Sequence, residues 1–404
     1  MNNKKAYNIY ILIKAASHGL FMMAFTVGDL YRLTSAHLDP LQLVLVGTLL
    51  EISIFTFEIP TGIIADLYSR RLSVILGVFL IGIGFILEGS IPIFSFILIS
   101  QIFWGIGLTF TSGALEAWLS DEIGEAYAGS AFLKGTQVSQ IGGLAGITLS
   151  TIIGLYGVNL PIIVSGCLFI FLGITLISVM PESGFKPVPI QKRNTFKHMK
   201  ITFKRGISMI HKRPSLGSIL WIGLFFGLYS EGLDRLWVAH LVKNINLPYF
   251  DPVIWMGLIW GMSMLLTYAA VNLVQKFINM ANIQLLIKGL MISSALILIF
   301  LVSFGLVNVL WIAICLYLAI DILRQLNEPL YTTWVNHKLD PSIRATIISM
   351  SSQMDAFGQI AGGPITGWIG RRYSIRAALI TSSCLLSPVL YFFSKHIQSD
   401  SELS

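Results

Sequence analysis

Ionisable side chains that interrupt long apolar stretches are the residues of this sequence best placed to do chemistry. An ionised group at the centre of a lipid bilayer costs about 3 kcal/mol on insertion scales, so such groups must face one another or a water-filled cavity. There a carboxylate can bind and release a proton near neutral pH, which removes its charge. We single out twelve of them: Lys14, His18, Glu51, Glu58, Glu116, Glu231, Asp234, Arg235, Asp321, Arg324, Glu328 and Asp355.

The spacing of these groups places several of them on single helix faces. Asp321, Arg324 and Glu328 are three and four positions apart, so Arg324 can pair with either carboxylate along its own helix. Glu231 and Arg235 are four positions apart and can pair in the same way. Two interpretations stay open, because such groups either relay protons and recognise substrate charge or form salt bridges that only fix the helix register.

We assign two roles to these groups under the first interpretation. The carboxylates expected to bind and release a proton are Glu58, Glu231, Asp234, Asp321 and Glu328. The side chains expected to line a substrate cavity are Lys14, His18, Glu51, Arg235, Arg324 and Asp355.

The composition is that of a membrane protein. Hydrophobic residues make up 55% of the 404 residues and charged residues only 12%, with a mean hydropathy of +0.76, whereas a soluble domain carries about 25% charged residues. Helices are expected, because open sheet edges cannot be satisfied in lipid. Twelve apolar stretches can span a bilayer: 8–31, 41–64, 72–91, 93–119, 131–156, 160–180, 215–241, 253–277, 283–305, 309–335, 343–369 and 374–394.

The positions of the lysines and arginines predict the orientation. With both termini placed in the cytoplasm, 19 of the 27 basic residues fall in cytoplasmic segments and 5 in outer segments. Cytoplasmic loops carry such an excess of positive charge. We therefore predict a multi-pass protein with both termini in the cytoplasm. Because the basic residues lie in loops between spans, we expect no nucleic-acid partner.

The apolar stretches divide into two sets of six. Residues 1–181 hold six, 215–404 hold six, and the polar segment 182–214 joins them. Within this linker apolar residues recur every three or four positions among nine lysines and arginines. This pattern predicts an amphipathic helix that lies on acidic membrane lipid.

The link between the second and third stretches has a recognisable pattern. It reads GIIADLYSRR from position 62 to 71, and we expect it to be a short loop. It resembles the signature G-x-x-x-D-R-x-G-R-[RK] of the major facilitator superfamily. The matching residues are Gly62, Asp66, Arg70 and Arg71. Leu67 and Ser69 depart from the signature, which has Arg and Gly at those places.

This resemblance implies a fold and a class of function. The fold is all-α, with twelve transmembrane helices in two six-helix halves that rock about a central site. Helices 1, 4, 7 and 10 would line the cavity, and the signature residues, with Glu116 at the cytoplasmic end of the fourth span, would gate it. We expect a monomeric secondary transporter whose partners are a small-molecule substrate, protons and membrane lipid.

Two further segments resemble a bacterial subgroup of that superfamily. SGALEAWLSDEIG at 112–124 and SEGLDRLWVAHL at 230–241 are similar to the ends of spans 4 and 7 in exporters of drugs, tetracycline or macrolides. This implies proton-coupled efflux of lipophilic drugs across a bacterial cell membrane. The alternative is an importer, or a lipid or metabolite carrier.

The sequence argues against an enzyme. It contains no H-E-x-x-H and no Gly-rich nucleotide loop with lysine, so neither a metalloprotease nor an ATP-driven pump is expected. The three cysteines lie far apart in separate apolar stretches. We expect no disulfide, no metal site and no cofactor.

Overall fold

The fold is a set of long helices. The computed structural model describes residues 2–185, 214–277, 282–338 and 341–401. The helices are α1 (Asn2–Thr34), α2 (Pro40–Leu67), α3 (Arg70–Ser90), α4 (Phe94–Thr111), α5 (Ala114–Ile123), α6 (Glu125–Gly154), α7 (Leu160–Val179), α8 (Pro214–His240), α9 (Pro252–Phe277), α10 (Ile283–Leu306), α11 (Leu310–Lys338), α12 (Pro341–Arg372), α13 (Ile375–Leu386) and α14 (Pro388–Ser401). A π-helical turn, Leu241–Ile245, follows α8.

The described residues form twelve helical segments of membrane length, which confirms the predicted all-α membrane fold. The fourth segment is α4 followed by α5, with a break at Gly113, whose φ of +70° suits only glycine without strain. The twelfth is α13 followed by α14. Nine of the segments are also apolar enough, within the described ranges, to cross a membrane by composition. The others are α6, α8 and α12, in which glycines and polar side chains lower the hydropathy.

The chain forms two compact units. Unit 1 comprises Met1–Leu38, Leu49–Thr195 and Tyr249–Trp260. Unit 2 comprises Asp39–Thr48, Phe196–Pro248 and Gly261–Ser404. The amphipathic helix predicted for the linker falls almost entirely on residues 186–213, which lie outside the described residues.

In unit 1, α1 packs closely on α6 through glycines. A Cβ atom on Gly142 would collide with the carbonyl oxygen of Ala15, and one on Gly146 would collide with that of Gly19. Small residues at such spacings allow two helix backbones to touch. This packing fixes the face of α1 that bears Lys14 and His18.

In unit 2, α8 packs on α12 in the same manner. A Cβ atom on Gly227 would meet the carbonyl oxygen of Asp355, and one on Gly362 would meet that of Leu228. The backbone of α12 therefore lies against α8 at the level where both helices present carboxylates.

Candidate functional site: two charged cavities

Unit 2 encloses a cavity of about 430 Å³ among α8, α11 and α12. Twelve of its sixteen lining residues have a polar side-chain group. The lining residues are Gly223, Phe226, Tyr229, Ser230, Asp234, Arg324, Asn327, Glu328, Tyr331, Thr332, Val335, Ile348, Ser351, Ser352, Asp355 and Gln359. We call this space the unit 2 cavity.

An arginine held by a carboxylate forms one wall of the unit 2 cavity. The two terminal nitrogens of Arg324 donate to the two oxygens of Asp234 at 2.5 and 2.8 Å. The guanidinium carbon also lies 5.7 Å from the centre of the Tyr229 ring. The spacing along the helix allowed Arg324 to pair with Asp321 or Glu328. The structure instead pairs it with Asp234 of α8, and the planar guanidinium contacts both oxygens of that carboxylate.

Two further carboxylates face the same cavity. Asp355 accepts a hydrogen bond of 2.8 Å from the side-chain amide of Gln359, one turn further along α12. Glu328 is exposed within the lining of the cavity. The charges of Arg324, Asp234 and Glu328 all act on Asp355. Neither residue forms an ion pair among the residues that the structure describes. The cavity thus holds two carboxylates besides the Arg324–Asp234 pair.

Asp321 lies one turn before Arg324 but does not line the cavity. It is half-buried and accepts a hydrogen bond from the hydroxyl of Ser263 on α9. This carboxylate therefore sits behind the cavity wall, on the side that faces α9.

The predicted pair of Glu231 and Arg235 is confirmed. Arg235 Nε lies 3.0 Å from Glu231 Oε1, and the Glu231 side chain is only 1% exposed. Neither residue is part of the unit 2 cavity lining. The pair lies against Gly47, where a Cβ atom would collide with both side chains. The structure therefore separates Arg235 from the residues that face the cavity.

Unit 1 encloses a second cavity, of about 630 Å³, which we call the unit 1 cavity. Lys14 and His18 of α1 and Glu116 of α5 are among its lining residues. Lys14 Nζ donates to Glu116 Oε1 at 3.3 Å. Glu116, which we expected at the gate, thus faces a cavity and pairs with the lysine expected to contact substrate.

Glu51 and Glu58 both lie on the part of α2 that belongs to unit 1. Glu51 is half-buried, and Glu58 is in the exposed part of the helix that precedes Pro60. Neither residue is part of the lining of the unit 1 cavity.

The signature segment is mostly helical, so the expectation of a loop over 62–71 was wrong. Helix α2 continues to Leu67, and α3 begins at Arg70. Ser69 caps α3 by accepting a hydrogen bond from the backbone of Leu72, which allows the link to be very short. Gly62 and Asp66 therefore lie on the last turns of α2.

Arg70 joins the signature to the end of α5. It donates to Asp121 at 2.5 Å and to the carbonyl oxygen of Ala117 at 2.9 Å. Its contact with Asp66 is longer, at 3.5 Å, and the Asp66 side chain is 57% exposed. The tight partner of Arg70 is therefore Asp121, which belongs to the same unit.

The residues that follow α7 bind to the same surface. Glu182 accepts hydrogen bonds from the Ser69 hydroxyl at 2.7 Å and from the Arg71 backbone at 2.9 Å. Glu122 accepts from the Ser183 hydroxyl and the Gly184 backbone, both at 2.7 Å. Sequence reasoning missed Glu182, although a carboxylate directly after an apolar stretch was a usable signal.

A second group that sequence reasoning missed is a buried ion network in unit 1. Arg32 donates to Glu88 at 2.8 Å and to Asp29 at 2.9 Å. The other oxygen of Glu88 accepts from Ser100 and Gln101 at 3.2 and 3.0 Å. The side chains of Arg32 and Glu88 are only 7% and 3% exposed. A glutamate inside the third apolar stretch was the available signal.

The fold and the two cavities define a class, which is that of helical membrane transporters. The chain belongs to the Major Facilitator Superfamily, whose family model matches residues 11–363. Since the members that it resembles are transporters, the chain is not an enzyme.

Three known proteins illustrate this relationship. An uncharacterized MFS-type transporter of Bacillus subtilis (strain 168), YxaM, is 23% identical over 381 residues, or 94% of this chain and 93% of that protein. The nucleoside transporter NupG matches with a TM-score of 0.77 and 13% identity, over 98% of this chain and 99% of that chain. A bacterial homologue of the human lysosomal transporter Spinster matches with a TM-score of 0.75 and 13% identity, over 98% of this chain and 97% of that chain.

Proposed function

We propose that this protein is a proton-coupled secondary transporter that works by alternating access. The observation that supports this most directly is the group of carboxylates at the unit 2 cavity. Glu328 and Asp355 line the cavity beside the Arg324–Asp234 pair, and Asp321 lies behind its wall. Protonation of such a carboxylate removes a charge from a site of low dielectric. A change of charge there alters the relative stability of conformations that expose the site to water and conformations that do not.

Our first candidate for the cargo is a lipophilic drug, exported from a bacterial cell. The support is the similarity of segments 112–124 and 230–241 to drug exporters, together with aromatic rings in the cavity wall. Phe226 lies 6.0 Å from Tyr331 and 6.2 Å from Tyr229, measured between ring centres. Planar apolar molecules pack well on such rings.

The second candidate is a polar metabolite, moved in either direction. The polar groups on twelve of the sixteen lining residues favour it, because a ligand must replace the water bonds of those groups when it binds. NupG, which shares the fold, is a nucleoside transporter.

We further propose the membrane arrangement that the sequence predicts. Both termini lie in the cytoplasm, halves 1–181 and 215–404 are joined by the lipid-bound linker 182–214, and the protein is a monomer. Protease access to tags on each terminus in right-side-out vesicles tests the orientation. Cleavage of either tag from outside would contradict it.

Purified protein in proteoliposomes tests the function. An imposed pH gradient should drive accumulation of a radiolabelled substrate against its own gradient, and an uncoupler should abolish that accumulation. Susceptibility of bacteria with and without the gene, measured against drugs of several classes, decides between the two cargoes. Unchanged susceptibility to every drug would contradict drug export. Substrate accumulation that does not depend on the pH gradient would contradict proton coupling.

A further inference from the structure

The unit 2 cavity carries negative charge, which favours a cationic ligand. Arg324 is neutralised by Asp234 through two hydrogen bonds. Glu328 and Asp355 remain, and neither forms an ion pair within the described part of the chain. When water leaves such a cavity, an ionised carboxylate needs a positive partner, since burial of an isolated charge is strongly unfavourable. A protonated amine supplies that charge together with N–H donors.

A buried side-chain amide in the same wall favours a polar ligand. Asn327 lines the unit 2 cavity and is only 5% exposed. Its side-chain oxygen contacts the Ser293 hydroxyl, and its side-chain nitrogen has no hydrogen-bond partner among the described residues. The Ser293 hydroxyl also lies 3.0 Å from the carbonyl oxygen of Leu290. If the amide is turned over, one of its two polar atoms still lacks a partner.

An unpartnered buried amide is unfavourable, and a ligand that hydrogen-bonds to it removes that cost. A purely apolar body cannot do so. It would also displace water from the hydroxyl and amide groups of the wall without replacing the lost hydrogen bonds. The cavity therefore suits a ligand that combines one positive charge with hydroxyl or amide groups, and it suits a lipophilic cation poorly.

We propose that the unit 2 cavity binds a small hydrophilic organic amine, whose ammonium group lies at Asp355 and Glu328 and whose polar groups reach Asn327. This inference rests on the proposed transport function, since it names the class of cargo that the site accepts, and it favours the polar metabolite over the lipophilic drug. It makes Asp355 and Glu328 the residues that select for charge and Asn327 the residue that selects for polarity.

Equilibrium binding to the full-length protein in lipid nanodiscs, measured by calorimetry, tests the proposal. The probes are glucosamine, ethanolamine and dopamine, each beside its N-acetyl derivative, in which a neutral amide replaces the ammonium group. Tetraphenylphosphonium is the lipophilic cation. We expect at least one amine to bind at least tenfold more tightly than both its N-acetyl derivative and tetraphenylphosphonium. Failure of all three amines to bind, equal binding of the neutral derivatives, or tighter binding of tetraphenylphosphonium would overturn the proposal.

Three variants locate the site. Asp355→Asn and Glu328→Gln should each weaken binding of the amine at least tenfold, while Glu125→Gln, which removes an exposed carboxylate in unit 1, should change nothing. Asn327→Leu should weaken binding yet keep the melting temperature, because the amide that it removes is only partly satisfied. Normal binding by all three variants would overturn the assignment, as would loss of folding by Asn327→Leu.

The outcome is separable from that of the proposed function, because binding is measured without a pH gradient. Amine-selective binding without proton-driven transport would leave this inference standing and refute the proposed coupling. Proton-driven transport with no preference for amines would support the proposed coupling and refute this inference.

Discussion

Arg324 of α11 and Asp234 of α8 share two parallel hydrogen bonds across the wall of the unit 2 cavity. The two residues are 90 positions apart in the sequence and lie on different helices. Because each partner compensates the other, the pair adds no net charge to the cavity wall and links α8 to α11.

The first prediction concerns this pair. Arg324→Gln should lower the free energy of unfolding by about 1–3 kcal/mol, because it leaves the Asp234 carboxylate without its charged donor. Thermal unfolding in detergent measures the change. Arg371→Gln is the matched control, since it removes a longer contact of 3.7 Å to Asp39 from an arginine that is 61% exposed. That control should cost less than about 1 kcal/mol, and an equal loss in both variants would contradict the prediction.

The second prediction concerns the buried network of Arg32 and Glu88. Glu88→Gln should cost about 3–5 kcal/mol, because it leaves Arg32 buried with one charged partner fewer. The double variant Arg32→Met, Glu88→Met should lose less free energy of unfolding than the single variants Arg32→Met and Glu88→Met lose in sum. Chemical unfolding of the four proteins in the cycle measures this coupling. Strict additivity would mean that the two side chains act independently.

The third prediction concerns proton coupling. Asp321→Asn should abolish accumulation driven by a pH gradient yet keep downhill exchange of substrate, because Asp321 lies behind the cavity wall rather than in it. Ser263→Ala is the control, since it removes the hydrogen bond to Asp321 and leaves the carboxylate. It should keep proton-driven accumulation.

The other proton candidates should be measured beside it, as Glu58→Gln, Glu231→Gln, Asp234→Asn and Glu328→Gln. If all five variants remain fully driven by the pH gradient, the assignment of the proton to these carboxylates is wrong. If all five unfold in a thermal-stability assay, the carboxylates are structural.

The fourth prediction concerns the packing of Gly142. Gly142→Ala should lower the free energy of unfolding by about 1–3 kcal/mol, because the added methyl group would collide with the backbone carbonyl of Ala15 on α1. Gly28→Ala is the matched control in α1, where no atom lies within 4 Å of the added carbon. It should be neutral or slightly stabilising, since alanine favours a helix more than glycine does. Equal melting temperatures of the two variants would refute the steric argument.

The fifth prediction concerns the signature residues. Asp66→Asn should change stability by less than about 1 kcal/mol, because Asp66 is 57% exposed and its contact with Arg70 is 3.5 Å long. If Asp66 gates the cytoplasmic side, the variant should still slow transport and change the distances between spin labels on the two halves. Unchanged distances together with normal transport would exclude a gating role.

The long apolar stretches of the sequence were enough to predict all twelve helical segments, because a span needs such a stretch whatever its partners, although α6, α8 and α12 are less apolar than the other nine. The spacing of the residues was enough to predict the pair of Glu231 and Arg235, since contacts four residues apart follow from helix geometry alone. The partner of Arg324 could not be predicted in this way. Asp234 lies on another helix, and helical spacing relates only residues of the same helix.

The same limit explains what was missed in unit 1. Arg32 and Glu88 are 56 residues apart, and neither has the other within reach along its own helix. Helix ends were a further limit, since the cap formed by Ser69 lets α2 and α3 extend into the segment that sequence reasoning assigned to a loop.

The buried network also bears on how the chain enters the membrane. Asp29 is three residues before Arg32 on α1, so it can compensate the arginine as soon as that helix forms. Glu88 arrives only after α2 and most of α3 have been synthesised. We therefore expect Asp29 to compensate Arg32 while the first helix inserts, and Glu88 to stabilise the finished protein. Loss of Asp29 should reduce the amount of protein that reaches the membrane more than it reduces the stability of the protein once it is there.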